Sequence, residues 1–121
     1  MSASNPVAVP ACLYQATEVT SSDVTVYTAP AGTAVIIDQF SYGNNDSSAH
    51  TLNVNIIPSG GSVGATNLVV NAQPIVAAGT AGANGNLSMI QNQILNTGDM
   101  ISVKADSASK LVIRISGRVC S

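Results

Sequence analysis

Few residues of this 121-residue chain can do chemistry. His50 is the only histidine, which excludes a metal centre built from several imidazoles. Cys12 and Cys120 stand near opposite ends, with no Cys-x-x-Cys spacing for zinc or redox work. Two reduced thiols are the expectation in a chain without an export signal, ahead of a bridge between the first and last strands. Serines and aspartates are numerous enough for a Ser–His–Asp triad, but no nucleophile elbow frames any serine. His50 follows Ala49 in a polar loop, where a water-facing ring is the expectation. Glu18 is the only glutamate, so a carboxylate pair for glycoside hydrolysis would have to come from scattered aspartates. Asn44, Asn45 and Asp46 offer one carboxylate, too few for calcium. Gly60-Gly61 and the glycine-rich stretch 79–85 precede no helix that could aim its N-terminus at a phosphate. Asp99, after Gly98, fits a turn that starts a strand. The expectation is a non-enzymatic protein with no cofactor and no metal.

The elements around these residues are strands. Residues 98–118 hold two alternating runs. Ile101, Val103 and Ala105 oppose Ser102 and Lys104; Leu111, Ile113 and Ile115 oppose Val112, Arg114 and Ser116. A side-chain period of two marks a half-buried strand. The small polar segment Asp106-Ser107-Ala108-Ser109 between them predicts a turn and hence a C-terminal β-hairpin. One greasy hairpin face is marginal alone and requires a second sheet.

The rest of the chain supplies it. Strands are predicted over residues 12–20 and 23–28, the latter with Val24 and Val26 on one face. Ala29-Pro30-Ala31-Gly32 breaks the pattern before a long strand over 33–42. Residues 43–48 read as a loop. Residues 51–57 alternate, Leu52, Val54 and Ile56 inward and Asn53 and Asn55 outward, ending at Pro58-Ser59-Gly60-Gly61. Residues 67–77 are another strand, with an edge or bulge at Pro74. After a glycine-rich loop, 87–90 is a short strand, and 91–95 is strand or one helical turn. No segment reads as a proper helix. Seven or eight short strands with frequent turns predict an all-β, antiparallel sandwich. Residues 12–121 form its single domain, and residues 1–11, with two prolines and no periodicity, form an extended arm.

Composition bounds the partners. Charged residues are 8% of the chain, against roughly a quarter in ordinary soluble proteins. The coat must therefore be serine, threonine, asparagine, glycine and alanine, which is poor at keeping molecules apart. Much of it is expected to be covered by neighbouring subunits, in a homo-oligomer. A formal net charge of −2 argues against nucleic acid, and no apolar run is long enough for a membrane span. Lys104, Lys110, Arg114 and Arg118, the four cations, all fall in the last 18 residues. The expected partner-binding residues are Pro6, Val7, Val9 and Pro10 of the arm, followed by Arg114 and Arg118. Proline limits the arm's conformations, so docking costs it less entropy.

Three segments carry a family resemblance. Tyr27-Thr28-Ala29-Pro30-Ala31-Gly32-Thr33-Ala34-Val35-Ile36-Ile37 resembles the opening of small tailed-phage virion proteins. Asn53-Val54-Asn55-Ile56-Ile57-Pro58-Ser59-Gly60-Gly61-Ser62 is similar to their strand and turn. Leu95-Asn96-Thr97-Gly98-Asp99-Met100-Ile101 with Val112-Ile113-Arg114-Ile115-Ser116-Gly117 is similar to their finish. The resemblance implies a jelly-roll-like sandwich without enzymatic activity, placed in a virion assembled in the host cytoplasm. It points first to a capsid decoration (cement) protein on joints between major capsid protein subunits. A tail or head-fibre component binding a host glycan or protein comes second, and a small esterase-like enzyme last.

Overall fold

Each long strand presents valine, isoleucine and leucine on one face, and two sheets of such strands close on each other. The computed structural model describes residues 7–121. Its strands are β1 (Ala8–Glu18), β2 (Val24–Thr28), β3 (Ala34–Asn44), β4 (His50–Ile57), β5 (Leu68–Ile75), β6 (Asn84–Asn86), β7 (Ile94–Leu95), β8 (Met100–Ala105) and β9 (Leu111–Cys120). The only helical element among the described residues is a 3-10 turn at Ala65–Asn67. Among the described residues no helix is long and apolar enough to cross a membrane.

One sheet has the order β1-β9-β3-β6, with β7 pairing further along β3; the other has the order β2-β8-β4-β5. All pairings are antiparallel. The logic is a ribbon rolled up. Along the ribbon β1 pairs β9, β2 pairs β8, β3 pairs β6 and β7, and β4 pairs β5. Rolling it brings β9 against β3 and β8 against β4. This is the double-sheet jelly roll that the family resemblance implies, within the antiparallel sandwich that the strand pattern predicts. The core between the sheets includes Val35, Ile37, Phe40, Leu52, Val54, Ile101, Val103, Leu111, Ile113 and Ile115, all essentially inaccessible. Fully burying each such side chain is worth about 1.5–3 kcal/mol.

Several expectations are corrected. The C-terminal runs are strands with the predicted inward faces, but they do not form a hairpin: β8 and β9 lie in different sheets. Residues 106–110 cross between sheets, so the two greasy faces look at each other across the core. The arm boundary at residue 11 also moves. Ala8, Val9, Pro10 and Ala11 pair with Cys120, Val119, Arg118 and Gly117. Ser121 N–H donates to the Val7 carbonyl at 3.1 Å. That register leaves the nitrogens of residues 8, 10 and 12 facing the free edge of the sheet. Proline is tolerated at such a position and blunts the edge against further pairing.

The strand over 23–28 carries a bulge between Thr25 and Tyr27, so Val24 is exposed while Val26 and Tyr27 pack on the core. On β5, an edge strand as expected, the register shifts at Asn71–Ala72 and again at Val69 rather than at Pro74: Leu52 faces Gln73, Val54 faces Val70 and Asn55 faces Leu68, and Ala72 takes a φ of 52°. The predicted strand over 87–90 is a turn, in which Ile90 N–H donates to Leu87 at 3.1 Å and Gln91 N–H to Ser88 at 3.2 Å. Asn55 points away from the core as predicted, yet it is buried. The 62–67 loop covers it, and its amide donates to Gly64 O at 3.1 Å and Asn67 Oδ1 at 2.7 Å.

Candidate functional site: the β1–β9–β3 face and the His50 node

The outer face of the β1-β9-β3 sheet is built from small residues because alternation sends the large ones inward. Arg114, Ser116, Arg118 and Cys120 of β9 alternate with the buried Ile113, Ile115 and Gly117. Opposite them stand Cys12, Pro10 and Ala8 of β1, facing Ser116, Arg118 and Cys120. On the other flank lie Ser41, Gln39, Ile36 and Ala34 of β3. A bulge between Ile37 and Gln39 pushes Asp38 out of the ladder. Its carboxylate accepts from Arg118 Nε at 3.1 Å and Nη2 at 2.9 Å, a bidentate pair. This pairing, above all its hydrogen bonds, raises the Arg118 pKa further above its usual value.

Of the expected partner-binding residues, Pro10, Arg114 and Arg118 thus share one face, and Pro10 and Arg114 line a shallow depression of about 410 Å³ in it. Arg118 is held by Asp38, whereas Arg114 is exposed and has no ion-pair partner among the described residues. Val7 and Val9 are more than half exposed, at 55% and 54%. Pro6 lies outside the described residues. Sequence reasoning missed Ile94, 59% exposed on β7 beside Ile36. Ile36 and Ile94 form an apolar patch on this face, and Arg118 with its partner Asp38 separates it from Pro10. The register places Cys12 opposite Ser116 and Cys120 opposite Ala8. Four residues of strand, about 13 Å, separate the two thiols, beyond disulfide reach.

The opposite sheet carries a second depression, of about 370 Å³, lined by Ser21, Thr51, Asn53, Lys104 and Asp106. Ala72 and Ala105 complete a lining that is part polar and part apolar, and none of the lining residues is aromatic. Asn53 Oδ1 accepts from Ala72 N–H at 2.6 Å, which leaves the Asn53 amide nitrogen free to donate.

His50 does not face water. It opens β4, is only 9% exposed, and touches carboxylates on both sides. Its Nε2 lies 2.7 Å from Asp46 Oδ2, and its Nδ1 lies 2.9 Å from Asp106 Oδ1. Lys110 Nζ stands 3.9 Å from the other Asp46 oxygen. The hydrogen bond to Asp46 is the main cause of a raised His50 pKa; burial opposes it, and Asp106 adds to it. The same bond holds the Asp46 carboxyl below its ordinary value. Asn44 pins the neighbouring loop, with its amide donating to Ser48 O and Val76 O, each at 2.9 Å, while its oxygen accepts from Asp46 N–H at 2.9 Å. At the other end of the sandwich, Asp99 acts structurally, as its turn position predicts. Its carboxylate accepts from Ser59 N–H at 3.1 Å and Asn96 N–H at 2.9 Å, just after Gly98 at φ 85°.

No family model matches the chain, and no curated protein matches it. Two solved structures do. One is described as the structure of infectious bursal disease virus Gx strain, at 12% identity and a TM-score of 0.47, covering 97% of this chain and 33% of that one. The other is the crystal structure of an infectious bursal disease virus VP2 subviral particle, at 13% identity and a TM-score of 0.44, covering 95% and 32%. The chain spans about a third of the length of either. Likeness this distant carries no argument about role.

Proposed function

We propose that this protein is a non-enzymatic structural component of a virion, and that it serves as a capsid decoration (cement) protein on joints between major capsid subunits. The observation that carries the reading is a jelly roll whose β1-β9-β3 outer face is mostly small uncharged residues around Arg114 and the Asp38–Arg118 pair. Jelly rolls serve as capsid, lectin and metal-binding cupin domains. A cupin-type metal centre would need several histidines, and the chain has one. A weakly charged sheet face of small residues suits burial against another protein, since interface cores are depleted in charge. The three segments that resemble tailed-phage virion proteins point the same way. The attachment surface is the β1-β9-β3 face, with Pro10, Ile36 and Ile94 as the apolar part and Arg114 as its exposed cation, while Val7 and Val9 alternate with Ala8 and Pro10 and project from the same edge to the other side of the sheet. Partners are the major capsid protein and further copies of this chain.

The depression beside Asn53, Lys104 and Asp106 supports one alternative, a tail or head-fibre component that binds a host glycan. Mixed donors and acceptors suit a polyhydroxy ligand, but a sugar ring would find no aromatic to stack on.

Binding of wild-type and Arg114→Glu protein to purified particles tests the reading. Arg114→Glu should leave the circular dichroism unchanged and lower occupancy. Equal occupancy of the two proteins would remove the proposed surface. Binding to host cells rather than to particles would favour the fibre reading.

A further inference from the structure

We propose that His50, Asp46 and Asp106 form a proton-set latch. It fastens the β3–β4 loop to the β8–β9 crossover, and loss of one proton from His50 releases the crossover. The inference is independent of the virion role.

Hydrogen-bond geometry carries it. An ionised carboxylate only accepts. Both ring nitrogens of His50 lie within 2.9 Å of a carboxylate oxygen, so both must donate. Only the imidazolium carries two N–H groups. A neutral ring would set a nitrogen lone pair against Asp46 or Asp106. The ring has no easy retreat, because it is buried and its backbone is paired with Ile75 of β5.

The position of the node gives it leverage. The connectors that pass between the sheets after β1, β3, β5 and β8 all meet at this end. Asn45 N–H donates to Lys110 O at 3.0 Å, Ser109 N–H to Val19 O at 3.1 Å, Ala78 N–H to Asp46 O at 2.8 Å, and Asp106 N–H to Thr51 O at 3.2 Å. The ionisable groups facing the ring are Asp46 from the β3–β4 loop and Asp106 from the end of β8; Lys110, ahead of β9, faces Asp46. After deprotonation Lys110 still attracts Asp46, whereas Asp106 loses its only side-chain partner among the described residues. Release is therefore directed at the crossover, residues 106–110, and it reshapes the depression that Asp106 helps to line.

The sign follows from linkage. A histidine whose pKa is raised by folding contributes full stability below its ordinary value of 6.5 and loses it as pH rises through the higher folded value. Each unit of that elevation corresponds to about a tenfold change in the opening equilibrium.

The test is an NMR titration of the His50 ring in the full chain between about pH 5 and 9, together with amide exchange corrected for intrinsic rates. The expected result is a His50 midpoint above 6.5. Protection of the Asp106 and Ser109 amides should fall through that midpoint while the β3 and β9 amides stay protected. Asp106→Asn, at a side chain 42% exposed, keeps the fold and should lower the His50 midpoint. His50→Gln should abolish the pH dependence of local exchange. A midpoint at or below 6.5, or crossover protection independent of His50 titration, would overturn the proposal.

Discussion

Gly117 gives the sharpest test of the sheet that bears the proposed surface. It sits in the central strand β9, opposite Ala11 of β1 and Ile37 of β3. A Cβ at this position would run into the backbone carbonyl oxygen of Ile36 and lie 3.1 Å from Leu13 Cδ1. Neither neighbour moves cheaply: a carbonyl in a paired strand can give way only by breaking its ladder, and Leu13 belongs to the core. Overpacking of a core typically costs 1–3 kcal/mol, and a collision with backbone lies at the upper end, about 3 kcal/mol. For a domain of this length the unfolding entropy is about 0.25 kcal/mol per degree, so each kcal/mol moves Tm by about 4 °C. Gly117→Ala should therefore melt about 12 °C below wild type in a calorimetric scan. Gly43→Ala is the control in the same sheet, since its Cβ would meet nothing nearer than Val112 Cγ2 at 3.4 Å. It should be neutral, or stabilising by up to about 1 kcal/mol through the unfolded chain. A Gly117→Ala protein melting within about 4 °C of wild type would refute the packing described for β1, β9 and β3.

The remaining predictions concern the ends and the faces. Asp99→Ala removes two hydrogen bonds from a charged acceptor and should cost about 1–3 kcal/mol, read as a lower urea midpoint at unchanged m-value. A double-mutant cycle on Asp38 and Arg118 should give little or no coupling despite the bidentate geometry, because both side chains are some 40% exposed and solvent screens them. Deleting residues 1–10 removes the pairings of Ala8, Val9 and Pro10 with β9 and should lower Tm. An unchanged Tm would return those residues to the arm.

Strand positions and faces were legible because a period of two survives in the sequence wherever one face is buried. Sheet assignment was not. Residues 100–105 and 111–120 alternate in the same way whether they pair with each other or face each other across a core, and a short polar connection serves a hairpin or a crossover equally. Pro10 argued locally against strand, yet its nitrogen faces a free edge, a position that only the partner strand defines. His50 read as a loop residue because only one of its partners, Asp46, is near in sequence; Asp106 is 56 positions away. The signal within reach was a lone histidine four residues after an aspartate at the start of an alternating strand. The β1-β9-β3 face was half visible. Arg114 and Arg118 fall on it by alternation, but Ile94 joins it only through the two-residue strand β7.

The most direct measurement is the location of this chain in purified particles, by cryo-electron microscopy at a resolution that separates sheets. A decoration protein predicts a two-sheet module on the outer shell, at regular joints between major capsid subunits, with the β1-β9-β3 face turned toward the shell. A particle that contains no copies of the chain, or a module bound through the opposite sheet, would contradict it.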